Sequence, residues 1–217
     1  ILITIFMGSM LAYREKILKK RLAYSTISQI SYILLGLACF NTYAFVGGVM
    51  HTLYHAMVKI VLFLVAGAII YKTGKTRVDE LEGIGKKMPI TMTCYTIASL
   101  ALIGIPPTNA FLSKWFLVLG SLKSGIPVID ILGVVVLLVS ALLTAGYLLP
   151  LSVKGFFPGR KAVEGEVLET EAEGYKKDDA NAYMLVPIII ITVGIVALGI
   201  FAKPIMDFIL SIIENVL

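Results

Sequence analysis

Apolar residues run along this chain in long blocks separated by short charged segments. A helix of about 20 apolar residues spans a bilayer, so each block is a candidate crossing. Residues 1–13 form a remnant of a first crossing, and 22–40 a second whose first half carries Ser25, Thr26, Ser28, Gln29, Ser31 and Tyr32. A third block, 44–71, leads into the charged stretch KTGKTRVDELEGIGKK. A fourth, 89–123, is interrupted by GIPPTN at 104–109, and a fifth covers 128–151. A polar, Glu-rich loop, 154–183, precedes the last span at 184–202, and a short apolar tail follows from Pro204. The pattern predicts an all-α membrane protein with about six crossings.

The fourth block has two readings: two short helices joined at the membrane surface, or one crossing by a broken helix. Pro106 and Pro107 each lack a backbone donor and disfavour helix at the preceding residue. Non-helical backbone survives at membrane depth only against protein or a water-filled cavity. Basic residues decide between the readings, because lysine and arginine gather on one side of a membrane. Arg14–Arg21, Lys72–Lys87 and the loop from Lys154 to Lys177 hold five Lys or Arg each. With one broken crossing all three lie on the same side, against only Lys123 and Lys203. With two crossings the third loop changes sides and the bias weakens. The single crossing, broken at Gly104, Pro106 and Pro107, is the expectation, with the three basic loops cytoplasmic and the chain multi-pass in a cell inner membrane.

Composition agrees. The apolar fraction is 58% and mean hydropathy +0.92, above the roughly 45–50% apolar content of soluble domains. The net charge of +5 sits between spans, with no aromatic and basic cluster on a soluble face, so no nucleic-acid partner is expected. Cys39 and Cys94 show no metal-ligand spacing and read as small buried hydrophobes; no metal site is expected. The opening run has neither a basic n-region nor a small-residue cleavage site and reads as part of a longer protein, not a signal peptide.

The chemistry lies in ionisable residues inside the spans. Lys59 is mid-span, roughly 20 Å from either end at about 1.5 Å per residue, beyond the reach of snorkelling. His51 and His55 precede it at intervals of four and share its helical face. Successive groups lie about 6 Å apart along the axis, within reach of bridging water. A histidine accepts a proton on one nitrogen and releases one from the other, and a lysine withdrawn from water can load and unload its proton. The plainer reading is two cross-helix hydrogen bonds, but two histidines and a lysine on one stripe favour a proton or cation path. Lys114, in FLSKWFLVLG, is either a second ion-loading site beside a hydrated break or an interfacial lysine next to Trp115. Ser25, Ser28, Gln29, Thr144 and Tyr147 could line the path, though the last two also suit ordinary packing. Asp130, near a span end, is the one acidic residue inside a complete span. An anionic partner for the lysines is therefore expected outside this sequence.

KKRLAYSTISQISYILLG, HTLYHAMVKIVLFLVAGAII and ASLALIGIPPTNAFLSKWFL resemble the antiporter-like membrane subunits of complex I, Mrp-type Na+/H+ antiporters and energy-converting hydrogenases. The resemblance extends to about Phe157. It implies a bundle with two inverted five-helix repeats, of which this chain is similar to the second repeat plus the closing helix. It further implies that Lys59 is the central proton site, that His51 and His55 extend a hydrated axis, and that Lys114 is the distal exchange site. The essential Glu and paired Lys of the first repeat are not in this sequence, which points to a missing N-terminal half that supplies them. The resemblance implies a proton-translocating subunit of a redox-driven complex, with no cofactor in this chain. Quinone, flavin or iron–sulfur clusters would sit in other membrane and peripheral subunits. The alternative is an Mrp-type cation/proton antiporter subunit without redox chemistry. Membrane lipid is expected around either.

Overall fold

The computed structural model describes residues 1–158 and 178–216, with side chains to residue 213. Its helices are α1 (Leu2–Arg14), α2 (Leu18–Ala38), α3 (Thr42–Thr73), α4 (Ile84–Lys87), α5 (Pro89–Ile103), α6 (Asn109–Leu122), α7 (Pro127–Phe156), α8 (Ala182–Ile200) and α9 (Lys203–Val216). A 3-10 turn, Val78–Glu80, precedes α4. The described residues contain no strand, only an isolated bridge between Ile17 and Arg77. Among them, α3, α7 and α8 are long and apolar enough to cross a membrane, and α1 and α5 are shorter apolar helices. The outer faces carry exposed Ile131, Leu142, Ile190 and Val193, the inverse of a soluble surface and suited to lipid.

Local chemistry sets the helix ends. Asn41 caps α3 by accepting the Ala44 amide at 3.0 Å, and Gly74 ends it at φ +69°, a conformation other residues adopt at a cost. Gly104, at φ +94°, ends α5 in the same way. Between α1 and α2 the Glu15 carboxylate accepts the amides of Lys16 and Ile17, each at 2.9 Å. The Ile17 amide is the larger cause that holds this carboxylate below its usual range.

α3 is the axis of the bundle, with α2, α5, α6, α8 and α9 against it. The chain from α5 to α6 runs antiparallel along nearly the whole of α3. At one end, Lys72 pairs with Asp178 at 2.7 Å, the Asp178 amide donates to the Lys87 carbonyl at 3.0 Å, and Asp179 receives the Ile90 amide at 2.7 Å. At the other, Asn41 Nδ2 donates to the Gly120 carbonyl at 2.8 Å and Lys123 Nζ lies 4.0 Å over the Tyr43 ring. A hairpin at the prolines would have returned Lys123 to the end where Pro89 begins. The break instead falls at mid-length, with a cis bond between Pro106 and Pro107.

The basic segments meet at the α5 starting end. The Leu18 amide donates to the Thr76 carbonyl and the Val78 amide to the Lys16 carbonyl, at 3.0 and 2.9 Å. The Gly83 amide donates to the Lys154 carbonyl at 3.0 Å, and Lys154 Nζ pairs with Glu82 at 3.1 Å. Three segments from distant parts of the sequence thus share one face.

Several boundaries differ from expectation. α7 continues to Phe156, so the expected loop from 154 begins as helix, held by Lys154. Residues 159–177 of that Glu-rich loop lie outside the described residues. Its far end is tied to the bundle by Asp178 and Asp179. The tail from Pro204 is an amphipathic helix, because apolar residues at Ile205, Ile209 and Ile213 repeat every four positions. Ile209 and Ile213 are buried with Val46, Met50, Tyr54 and Ala110.

Two glycines let α6 lie close to α3. A Cβ on Gly47 would sit 2.7 Å from the Leu117 amide nitrogen, and one on Gly120 would overlap the Ala44 backbone and side chain. Small residues at such crossings replace the hydrophobic drive that is missing in lipid. Gly120→Val should therefore push α6 off α3 and destabilise the bundle by about 1–3 kcal/mol. Thermal unfolding in detergent measures this, and an unchanged midpoint would contradict the close packing.

Candidate functional site

α3 carries His51, His55 and Lys59 on the face covered by α2 and α6. All three are buried, at 0%, 7% and 6% exposure. Lys59 Nζ donates to the Leu22 carbonyl at 2.8 Å and to the Ser25 hydroxyl. His51 is held from two sides, by Gln29 Oε1 at Nε2 and by Ser113 Oγ at Nδ1, each at 3.0 Å. Its ring stacks on Tyr32 at 5.5 Å and on His55 at 5.9 Å between centroids. Polar residues of α2 at 25, 29 and 32 thus follow α3 turn by turn, which accounts for the polar first half of that span.

Lys114 approaches from α6. The break orphans the carbonyls at the C-terminus of α5, and a helix C-terminus attracts positive charge. Lys114 Nζ donates to Leu102 and Ile103 there, at 2.6 and 3.0 Å. It also lies 5.2 Å over the Tyr32 ring, the face of which favours a cation. Trp115 beside it is 52% exposed. The two neighbours therefore part company: the tryptophan faces outward, while the lysine turns in to the break. Tyr32 stands between Lys114 and His51 and ties the two lysine environments into one column.

The described residues place no carboxylate in ion-pair distance of Lys59 or Lys114; their ion pairs are Lys72–Asp178, Arg77–Asp79 and Lys154–Glu82. Asp130 lies in the first turn of α7 and accepts from Ser124 at 2.7 Å. A buried ammonium without a counter-charge rests on carbonyls, hydroxyls and aromatic faces, which solvate it without fixing its proton as firmly as a carboxylate would. Such a group can exchange its proton with neighbouring imidazoles through water.

The other sequence candidates divide. Ser25 and Gln29 face the column directly. Ser28 turns instead into a hydroxyl cluster, with Ser9 at 2.8 Å and Ser140 at 3.2 Å, that joins α1, α2 and α7. Thr144 donates to the Ser140 carbonyl at 2.8 Å and receives the Tyr147 hydroxyl at 3.4 Å, bonds within α7. Gly104, Pro106 and Pro107 lie in the segment between α5 and α6. Two contributors were missed: Tyr32, passed over as one of several polar residues, and Asn109. A polar amide directly beyond two prolines in an apolar run was the available signal for the second.

An all-helical membrane bundle with a broken helix, and with a buried lysine, two buried histidines and a half-buried lysine in one column, has the features of a subunit that moves ions. The chain belongs to the NADH:quinone oxidoreductase/Mrp antiporter transmembrane family, which matches residues 1–144. It is 40% identical over 205 residues to NADH-quinone oxidoreductase subunit N of Desulforudis audaxviator (strain MP104C), covering 94% of this chain and 40% of that protein. The Mrp complex from Dietzia sp. DQ12-45-1b contains a chain of the same fold, with TM-score 0.81 and 24% identity over 96% of this chain and 44% of that one. The membrane-bound sulfane sulfur reductase, an archaeal respiratory membrane complex, has a chain with TM-score 0.75 and 29% identity, over 91% of this chain and 30% of that one. The chain thus spans less than half the length of the proteins it matches.

Proposed function

We propose that this chain is the lysine-bearing half of a proton-translocating membrane subunit in a redox-driven complex. The observation that carries the reading is the column Lys59–His55–His51–Tyr32–Lys114, buried except for the half-buried Lys114 and without a carboxylate among the described residues. Protons pass through water between Lys59, His55, His51 and Lys114, and charge changes at the lysines drive the step. Ser25 and Gln29 hold the column's geometry.

The spans cross the membrane six times, and 89–123 crosses once, with the break at mid-depth and lipid around the outer faces. The basic face joined by Thr76, Lys16 and Lys154 is cytoplasmic, in a cell inner membrane. Two lysines without a counter-charge call for an anionic residue, supplied by a preceding half of the same protein or by a neighbouring subunit. Electron transfer, through quinone, flavin or iron–sulfur groups, belongs to other subunits. The relative named NADH-quinone oxidoreductase subunit N favours this reading over a cation/proton antiporter.

The test is the complete assembly in sealed inverted vesicles with a pH-sensitive dye. Its electron donor should acidify the lumen in sodium-free buffer. No acidification with the donor, together with collapse of an imposed pH gradient on adding Na+, would assign the chain to the Mrp-type antiporters instead.

A further inference from the structure

Three landmarks fix how α6 lies on α3. Ala44 packs on Gly120, Gly47 on the Leu117 backbone, and His51 bonds Ser113. Each step forward on α3 is matched by an equal step back on α6. One further turn sets His55 opposite Asn109. Asn109 is fully buried, yet among the described residues neither its Oδ1 nor its Nδ2 has a partner, and His55 Nδ1 also has none. The Tyr54 hydroxyl, one residue from His55, is likewise unpartnered and lies in the cluster that contains Ala110. Buried polar atoms are rarely left so, because each costs its lost hydration. The register brings these groups to one level of the bundle, beside the break. α8 closes the outside: a Cβ on Gly199 would sit 2.7 Å from the Asn109 amide nitrogen and would overlap the Pro107 carbonyl. Across the break, Lys114 Nζ rests on Leu102 and Ile103.

We infer that His55 and Asn109 build a water site at the break, in which Asn109 is the positioning residue joining the histidine column to Lys114. The inference rests on the proton-translocating reading above. The Asn109 carboxamide neither gains nor loses a proton. Its Oδ1 and Nδ2 orient water as acceptor and donor. The Lys114 ammonium gives a proton to that water and becomes an amine. The water passes one proton to His55 Nδ1, and the imidazolium so formed releases a proton from Nε2 toward an unprotonated Lys59, the next group of the column. Water ends as it began, and one charge has moved from Lys114 to the column.

Asn109→Val and Asn109→Thr test this, since the two side chains share a shape and differ by one hydroxyl. In the complete assembly, donor-driven lumen acidification should fall about tenfold for Val, the size of one lost hydrogen bond in the barrier, and stay within about threefold for Thr. A purely structural Asn109 would make the two variants behave alike, as would a site with no role, and either result overturns the inference. If either variant fails to assemble on native gels, the pair Asn109→Ala and Asn109→Ser carries the same comparison. Lys59→Met is measured alongside. Normal pumping by that variant would overturn the proton-translocating reading itself, whereas a Lys59→Met that does not pump, with equal Val and Thr rates, would overturn the water site alone.

Discussion

Lys59→Met is expected to abolish proton translocation in the complete assembly while leaving assembly and fold intact. Methionine has a similar length and no charge, and burying a charge at mid-membrane costs at least ~2.5–3.5 kcal/mol, so the bundle is relieved of an expense and not deprived of a support. The acceptors released are not stranded. The Leu22 carbonyl still receives the hydroxyls of Ser25 and Thr26, at 2.9 and 3.0 Å. What disappears is the one group at this level that can hold a proton. Lys59→Arg should be as inactive, because a guanidinium stays charged and cannot unload. Donor-driven acidification per electron transferred is the measurement, with native-gel abundance as control. Normal pumping by correctly assembled Lys59→Met would remove the central step of the mechanism.

The sequence disclosed the axis because a charged residue in an apolar run is rare enough to count. Period four put His51, His55 and Lys59 on one stripe before any neighbour was known, and the proline pair marked the break. The charge count favours a single broken crossing for 89–123, and Lys123 over Tyr43 and Lys72 on Asp178 mark opposite ends of the bundle. What periodicity cannot supply is the partner. Ser25 and Ser28 are three residues apart on one helix, yet the first meets Lys59 and the second meets Ser9 and Ser140. Lys114 beside Trp115 fitted an interfacial lysine equally well until the orphaned carbonyls of Leu102 and Ile103 were seen to hold it. The place of Asn109 opposite His55 came only from the packing register of α6 on α3, which depends on the close approach that Gly47 and Gly120 allow. The tail from Pro204 had been read as merely apolar, although its stripe of isoleucines was open to view.

Lys114→Met should also stop translocation, but with a second signature that Lys59→Met lacks. After the break the amides of Gly104 and Ile105 turn back to Leu100 and Ala101, so the carbonyls of Leu102 and Ile103 rely on the Lys114 ammonium. Removing it leaves two acceptors at the break without that donor, at about 1–3 kcal/mol each. Thermal stability in detergent should therefore fall with activity. Lys114→Arg separates the two effects: it keeps donors for both carbonyls and should recover most of the stability, yet remain inactive because it does not release its proton. Lys123→Met, nine residues further on and at the end of the bundle over Tyr43, should change pumping by less than about twofold, since an exposed contact of that kind is worth ~0.5–1 kcal/mol and lies off the column. If Lys114→Met and Lys123→Met pumped alike, Lys114 would be an interfacial lysine after all, and the broken helix would be a packing feature with no part in the path.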